Sequence, residues 1–269
     1  MNPLRTRAVQ SGFTLIELMV SVAIFLLICG AIFELMGTTQ NRFKTESQVL
    51  NAFEEARLGL DQIVRDVNDA GYPPQNHFSA TVNVINFAGS PIAWSPQYLP
   101  APSIPCQIGS AGAGTCTSPG DFDLIVEGDV DGSGVVQWIR YQLQGTTLLR
   151  GATPKVANDP VGATSPASGV MLPYVLNVMN NAPPAQIAQF QAAFPAMFPG
   201  GNPQPLFQYW CDTPNGQVLC QNAAGSNSPA NVRDVDITLI VMAPNTDAQT
   251  NQVHLVELNG RGHRVNPNQ

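Results

Sequence analysis

The sequence predicts an α+β fold: one long N-terminal helix packed on a mostly antiparallel β-sheet domain. Three observations carry this. From Phe13 to Phe33 the chain holds a single charged residue, Glu17. Beyond that run, Val49, Phe53, Ala56, Leu60, Ile63, Val67 and Ala70 recur at steps of three and four, which places them on one face of a helix. Later segments such as Val135–Leu143 alternate in the period of a half-buried strand and are separated by Gly- and Pro-rich turns.

The helix begins in the apolar run. At about 1.5 Å per residue, Phe13–Phe33 reaches roughly 30 Å, the thickness of a bilayer's hydrocarbon core. Before it lies a short polar leader, Met1–Gly12, with Arg5 and Arg7. A secretory signal places its small-residue cleavage site after the apolar core. Here Gly12 comes before it, so a cut at Gly12 leaves the helix on the protein. Ser11-Gly12-Phe13-Thr14-Leu15-Ile16-Glu17-Leu18 and the run that follows resemble the type IV prepilin signal. The resemblance implies a prepilin peptidase that cuts between Gly12 and Phe13 and methylates the new amino terminus at Phe13. Glu17 stands out because a carboxylate in a transmembrane segment costs roughly 2.5–3.5 kcal/mol on insertion scales and so takes a partner. By itself it could snorkel to the headgroups near the helix end. The resemblance implies instead that Glu17 neutralises the amino terminus of a neighbouring subunit during assembly.

No proline occurs from Phe13 to Tyr72. Gly30, Gly37 and Gly59 each weaken a helix by about 1 kcal/mol without ending it. Gly71 followed by Pro73-Pro74 is a strong stop. The expected helix is about 58 residues and roughly 85–90 Å long. The domain organisation follows: leader peptide 1–12, transmembrane half of the helix 13–40, amphipathic half 41–72, and a β-rich head 73–269. Glu54, Glu55, Asp61, Gln62, Arg65 and Asp66 are assigned to the faces away from the apolar stripe. The closing segment Arg65-Asp66-Val67-Asn68-Asp69-Ala70-Gly71-Tyr72 resembles the Arg-Asp-x-x-x-Ala-Gly-Tyr end of the helix in PilW-type minor pilins. J-type minor pseudopilins of type II secretion share that plan.

In the head, strands are expected at Thr81–Phe87, Phe122–Glu127, Val135–Leu143, Thr146–Arg150, Leu206–Trp210, Val232–Met242 and Val253–Leu258. Gly145 supplies the turn of one hairpin, and Trp138, Arg140 and Gln142 are expected opposite Ile139, Tyr141 and Leu143. The hairpin Trp138–Arg150 again resembles the PilW and J-type pattern, in which a tyrosine strand turns back into a Leu-x-Arg strand. Ala185–Phe194, between Pro183-Pro184 and Pro195, reads as a short helix. Residues 88–120 read as loop, residues 151–182 as irregular, and Arg261-Gly262-His263-Arg264 as a solvated basic tail.

Arg5 and Arg7 place the leader in the cytoplasm by the positive-inside rule; Arg42 and Lys44 at the far end weaken that count. The cysteines support it. Cys29 lies inside the apolar run and reads as an inert packing residue. Cys106, Cys116, Cys211 and Cys220 all lie beyond the membrane, where they allow three pairings. The short loops Cys106–Cys116 and Cys211–Cys220 are preferred because each encloses Gly/Ser/Asn-rich sequence that little else would hold. Disulfides indicate an oxidising compartment, here the periplasm.

Asp129-Val130-Asp131-Gly132-Ser133-Gly134 matches the opening half of a calcium loop, with oxygen ligands at Asp129, Asp131 and Ser133. The twelfth position is Arg140 where a bidentate Glu is required. A tight turn between two strands explains the same residues, and a calcium site would need Asp123 or Glu127 to complete it. No other cofactor is expected. With 12% charged residues, a net charge of −7 and no basic cluster, nucleic acid is excluded as a partner. His77, His254 and His263 are scattered, and no zinc, nucleophile-elbow or phosphate-loop signature occurs, so no enzyme is expected. The resemblance implies a minor pilin in the inner membrane with a periplasmic head, later at the pilus tip. Its implied partners are prepilin peptidase, other minor pilins, the major pilin and the inner-membrane assembly platform. Two other readings stand beside it: a J-type pseudopilin of a type II secretion system, and a tip adhesin with a calcium-stabilised head.

Overall fold

The computed structural model of the chain describes residues 12–95, 106–109, 114–156, 170–223, 225–246 and 252–264. The leader residues 1–11, with Arg5 and Arg7, lie outside the described residues. Among the described residues, one long helix, α1 (Leu15–Asp69, 55 residues), precedes a head of nine strands and a short helix, α2 (Pro184–Ala193).

Two antiparallel sheets form the head rather than one. The first runs β1 (Ile92–Ala93), β2 (Asp123–Gly128), β3 (Gln137–Gln144), β4 (Thr147–Pro154) and β5 (Leu172–Val175) in that spatial order. The second is ordered β7-β6-β8-β9, from β6 (Phe207–Thr213), β7 (Gly216–Leu219), β8 (Val232–Met242) and β9 (Leu255–His263). The backbone joins them where Met179 N–H donates to Ile240 O and Met242 N–H donates to Asn177 O. The upper part of α1 packs on β8 and β9 of the second sheet and on β2 and β5 of the first.

Ala56, Leu60, Ile63, Val67 and Ala70, the upper part of the expected stripe, are all buried in the main core. They face Phe207, Tyr209, Val235, Ile237 and Leu239 from the inner side of the second sheet, with Ile139, Tyr141 and Leu148 from the first. Gly260 and Gly262 let β9 approach α1 closely. A methyl group at Gly262 would lie 2.6 Å from Val67, too near for any real carbon. Where the helix stops, Gly71 adopts a φ of 87° and its N–H donates to Glu127 O at 2.8 Å, tying the helix end to β2.

Several expectations are corrected. Thr81–Phe87 is no strand: Val84–Asn86 forms a 3-10 turn capped by Asn83, whose side chain accepts from Ile85 N–H. An asparagine that satisfies its own backbone competes with sheet pairing. β1 falls inside the expected loop 88–120, and β5 inside the irregular 151–182; residues 157–169 are outside the described residues. β7 had no expectation at all, because Gly-Gln-Val-Leu is too short to show a period. The tail Arg261–Arg264 is not solvated as a whole: Arg261–His263 finish β9, and Arg264 is buried. Trp138, on the face opposite the main core, is buried as well, in a second small cluster with Ala93 and Ile125. Asp66, assigned to an outer face, has no exposed surface.

Candidate functional site

The N-terminal end of α1 brings together Phe13, Thr14 and Glu17. Thr14 is the N-cap, and a capping box closes around it. Glu17 N–H donates to Thr14 Oγ1 at 3.4 Å, while Thr14 N–H and Thr14 Oγ1–H donate to Glu17 Oε2 at 3.0 and 2.8 Å. Glu17 thus serves its own helix in the single chain, and it is as open as Phe13 and Gly12 beside it. Nearly every residue from Leu15 to Lys44 is exposed, including Leu18, Phe25, Ile32 and Phe43. This is the described helix long and apolar enough to cross a membrane. Among the described residues little covers it.

At the other end of α1 a second acid has a full set of partners within the chain. Asp66 Oδ2 accepts from Tyr141 OH at 2.6 Å and from Arg150 Nη2 at 2.9 Å; Asp66 Oδ1 accepts from Gln62 Nε2 at 2.6 Å. Arg150 Nε also donates to the Tyr141 hydroxyl at 2.9 Å. Tyr174 of β5 closes the group, its ring edge-on to Tyr141 at 5.9 Å. Burial pushes the Tyr141 hydroxyl far above its usual range, and the Asp66 charge adds to it. Arg150 is held above its ordinary value; burial opposes its charge, but Tyr141 and Asp66 outweigh it. The two stretches that resemble PilW-type chains, the helix close around Asp66 and the Tyr141–Arg150 hairpin, therefore meet in one network.

Three further polar groups fix the first sheet. Glu127 and Lys155 are both fully buried: Lys155 Nζ donates to Glu127 Oε1 and to Phe87 O, each at 2.8 Å, and Trp138 Nε1 donates to Glu127 Oε2 at 2.7 Å. Asp123 is bound by Arg140 and Gln142. Both acids offered above as extra calcium ligands are thus engaged elsewhere. In the turn itself, Asp129 Oδ2 accepts from Gly134 N–H at 2.9 Å and Asp131 Oδ1 from Ser133 N–H at 3.0 Å. Asp131 Oδ2 takes a further bond from Gln137 Nε2 at 2.8 Å. Hydrogen bonds from Ser133 and Gln137 hold Asp131 down at about 2. Among the described residues no group of three or more His, Cys, Asp or Glu side chains could hold a metal ion.

The disulfides are Cys106–Cys116 and Cys211–Cys220, both with Cα atoms 4.9 Å apart. The start of the first loop meets the segment that follows Cys220: Ile108 N–H donates to Asn227 O, and Gly109 packs on Gln221. Cys29 is free. On the outer face of the second sheet, Asp234 is bound by Arg261, His263 and Gln217. Burial raises its pKa, but those donors prevail and hold it below the usual carboxylate range. Nothing in the sequence pairs these residues; only the β8–β9 register sets Asp234 opposite His263.

Comparison with known proteins reaches the first of these sites. The model of the prokaryotic N-terminal methylation motif matches residues 7–33, which include Gly12, Phe13 and Glu17. The chain carries a type IV pilin-like signal. No curated protein and no solved structure matches the chain.

Proposed function

We propose that this chain is a minor type IV pilin of the PilW-like kind, a structural subunit and not an enzyme. Prepilin peptidase removes residues 1–12 and methylates Phe13. The chain then joins other minor pilins to start assembly on the inner-membrane platform, and it stays at the tip. The observation that supports the minor-pilin reading is the Asp66–Tyr141–Arg150 network. It joins two stretches that resemble PilW-type chains separately, across 75 residues between Asp66 and Tyr141.

Assembly in this reading is an exchange of partners. Cleavage leaves a cationic amine on Phe13. The Glu17 carboxylate of an adjoining subunit gives up its two Thr14 donors for that amine, and the exposed apolar helices pack beside each other. In a low-dielectric setting a charge-assisted pair is stronger than the neutral bonds it replaces.

Intact-mass and N-terminal analysis of the protein extracted from its host's membranes tests this. The expected product starts at methylated Phe13 and contains both disulfides. A functional product that retains residues 1–12 would overturn the reading. Deletion in the host separates the two closest functions: loss of pili supports the pilin, and loss of protein secretion with pili intact supports the J-type pseudopilin.

A further inference from the structure

At the end of α1 away from Phe13 the head has an open cavity of about 520 Å³. Small-molecule sites span roughly 300–1,000 Å³ and combine apolar walls with a few polar groups. Here Phe87, Pro91 and Ile92 supply apolar wall and Trp94 an aromatic ring, while Gln75, Asn76 and Ser90 supply the polar groups. None of the described residues that line the cavity is Asp, Glu, Lys, Arg or His. Gly71, where α1 closes, lines it as well. The 55 residues of α1 reach about 80 Å at 1.5 Å each, so the cavity lies about a helix length from Phe13.

The buried Glu127–Lys155 pair holds one wall from behind. Lys155 Nζ donates to Phe87 O at 2.8 Å, and Glu127 Oε1 accepts from Ser90 N–H at 3.2 Å. Residues 87–90 are thus pinned at both ends. A buried ion pair carries a desolvation cost that packed apolar side chains avoid; here it fixes the backbone of the cavity. The neighbouring segment is tied on where Ala88 N–H donates to Pro73 O at 2.8 Å, just before the 3-10 turn Gln75–His77. Against this fixed frame the polar groups are uncommitted. Trp138 donates its indole N–H to Glu127 and Trp210 to Asp236, whereas Trp94 has no acceptor among the described residues. The side chains of Gln75, Asn76 and Ser90 likewise make no hydrogen bond among the described residues.

We propose that this cavity binds a neutral saccharide. Amide and hydroxyl side chains both donate and accept, and so do sugar hydroxyls. The C–H face of a sugar ring is apolar and matches the flat apolar area of an indole such as Trp94. A charged ligand would leave water for walls that carry no counter-charge, which costs free energy. A peptide strand fits less well. β1 is the edge of its sheet but only two residues long, and Ser95 beyond it is already bridged to Ser118. Pro91, before it, has no N–H to offer a ladder. The proposal goes beyond the pilin reading and does not rest on it, so its failure would leave that reading untouched.

The test uses the full chain in micelles of a detergent without a sugar headgroup. The probes are the methyl glycosides of glucose, galactose, mannose and N-acetylglucosamine, and the readout is saturation-transfer NMR. At least one glycoside is expected to bind saturably, with a Kd on the order of 1 mM. Anionic N-acetylneuraminic acid, cationic glucosamine and a proline-rich peptide should give no transfer. Q75A/N76A should weaken binding about tenfold and W94F, which keeps a ring but loses the N–H, about threefold. Gln75 and Asn76 are exposed, so Q75A/N76A should melt at the parent's temperature, and W94F gives an independent reading of the same site. Transfer to none of the four glycosides at concentrations on the order of 10 mM would overturn the proposal. So would equal binding of the charged sugars, transfer to the peptide alone, or full affinity in both variants.

Discussion

Glu17 and Asp66 are two acids on one helix, and they are opposites in every other respect. Glu17 is exposed, and among the described residues its hydrogen-bond partner is Thr14 of its own first turn. Asp66 is fully buried and bound by Tyr141, Arg150 and Gln62. An acid in an apolar setting needs compensation. For Asp66 the head of the same chain supplies it; for Glu17 the chain itself offers Thr14, and the proposed further source is the amino terminus of another subunit. The lower half of α1 is exposed, an interface in the proposed reading, whereas the upper half is buried in the core of the head.

If that contrast is right, Asp66→Ala should be the most damaging change to the head. It leaves Arg150 without its carboxylate; breaking a buried pair costs about 3–5 kcal/mol, and the lower end applies because the Arg150 side chain keeps 25% exposure. Chemical unfolding of the full chain in micelles, followed by tryptophan fluorescence, would measure it, and a loss under ~1 kcal/mol would break the comparison. Gly262→Ala should come next, at about 1–3 kcal/mol, because the added methyl overpacks β9 against Val67. Tyr141→Phe sharpens the first result. It removes one hydroxyl but keeps the Asp66–Arg150 pair, so the loss should be about 1 kcal/mol.

Acid should act on a smaller scale. Asp131, with its pKa lowered to about 2, stabilises the Asp129–Gly134 turn above the ordinary carboxylate range, and that contribution fades as pH falls towards about 2. The protection of the Ser133 amide, its exchange rate relative to the intrinsic rate at each pH, should fall over that interval, and Asp131→Asn should flatten the response. Calcium added at neutral pH should leave the melting temperature unchanged, since the carboxylates already hold the turn's own N–H groups. Glu17→Ala should have no effect on head unfolding but abolish filaments. A drop in head stability from that change would mean the two ends of α1 are not independent.

Much of the fold was legible from periodicity. The helix, its stop at Gly71, the hairpin about Gly145 and the strand Val232–Met242 all follow patterns that need only neighbours in sequence. Where patterns were short or ambiguous, reading failed. β1 and β7 are two and four residues long, and Thr81–Phe87 has β-branched residues but also asparagines that turn the chain. Glu17 was visible because a charge in an apolar run contradicts its surroundings. Asp66 was hidden because an acid in an amphipathic helix does not.

The sequence by itself determined that a helix longer than the head requires begins at a processing signal, because composition and spacing along a helix are local properties. It could not decide which polar residues face inward. Asp66, Tyr141 and Arg150 are far apart in the chain and acquire meaning only when α1 crosses the first sheet. Likewise Leu172 in β5 and Leu176 just after it could have been core by their chemistry; they are exposed while Val175 between them is buried against α1, a difference that only the packing of this edge strand sets.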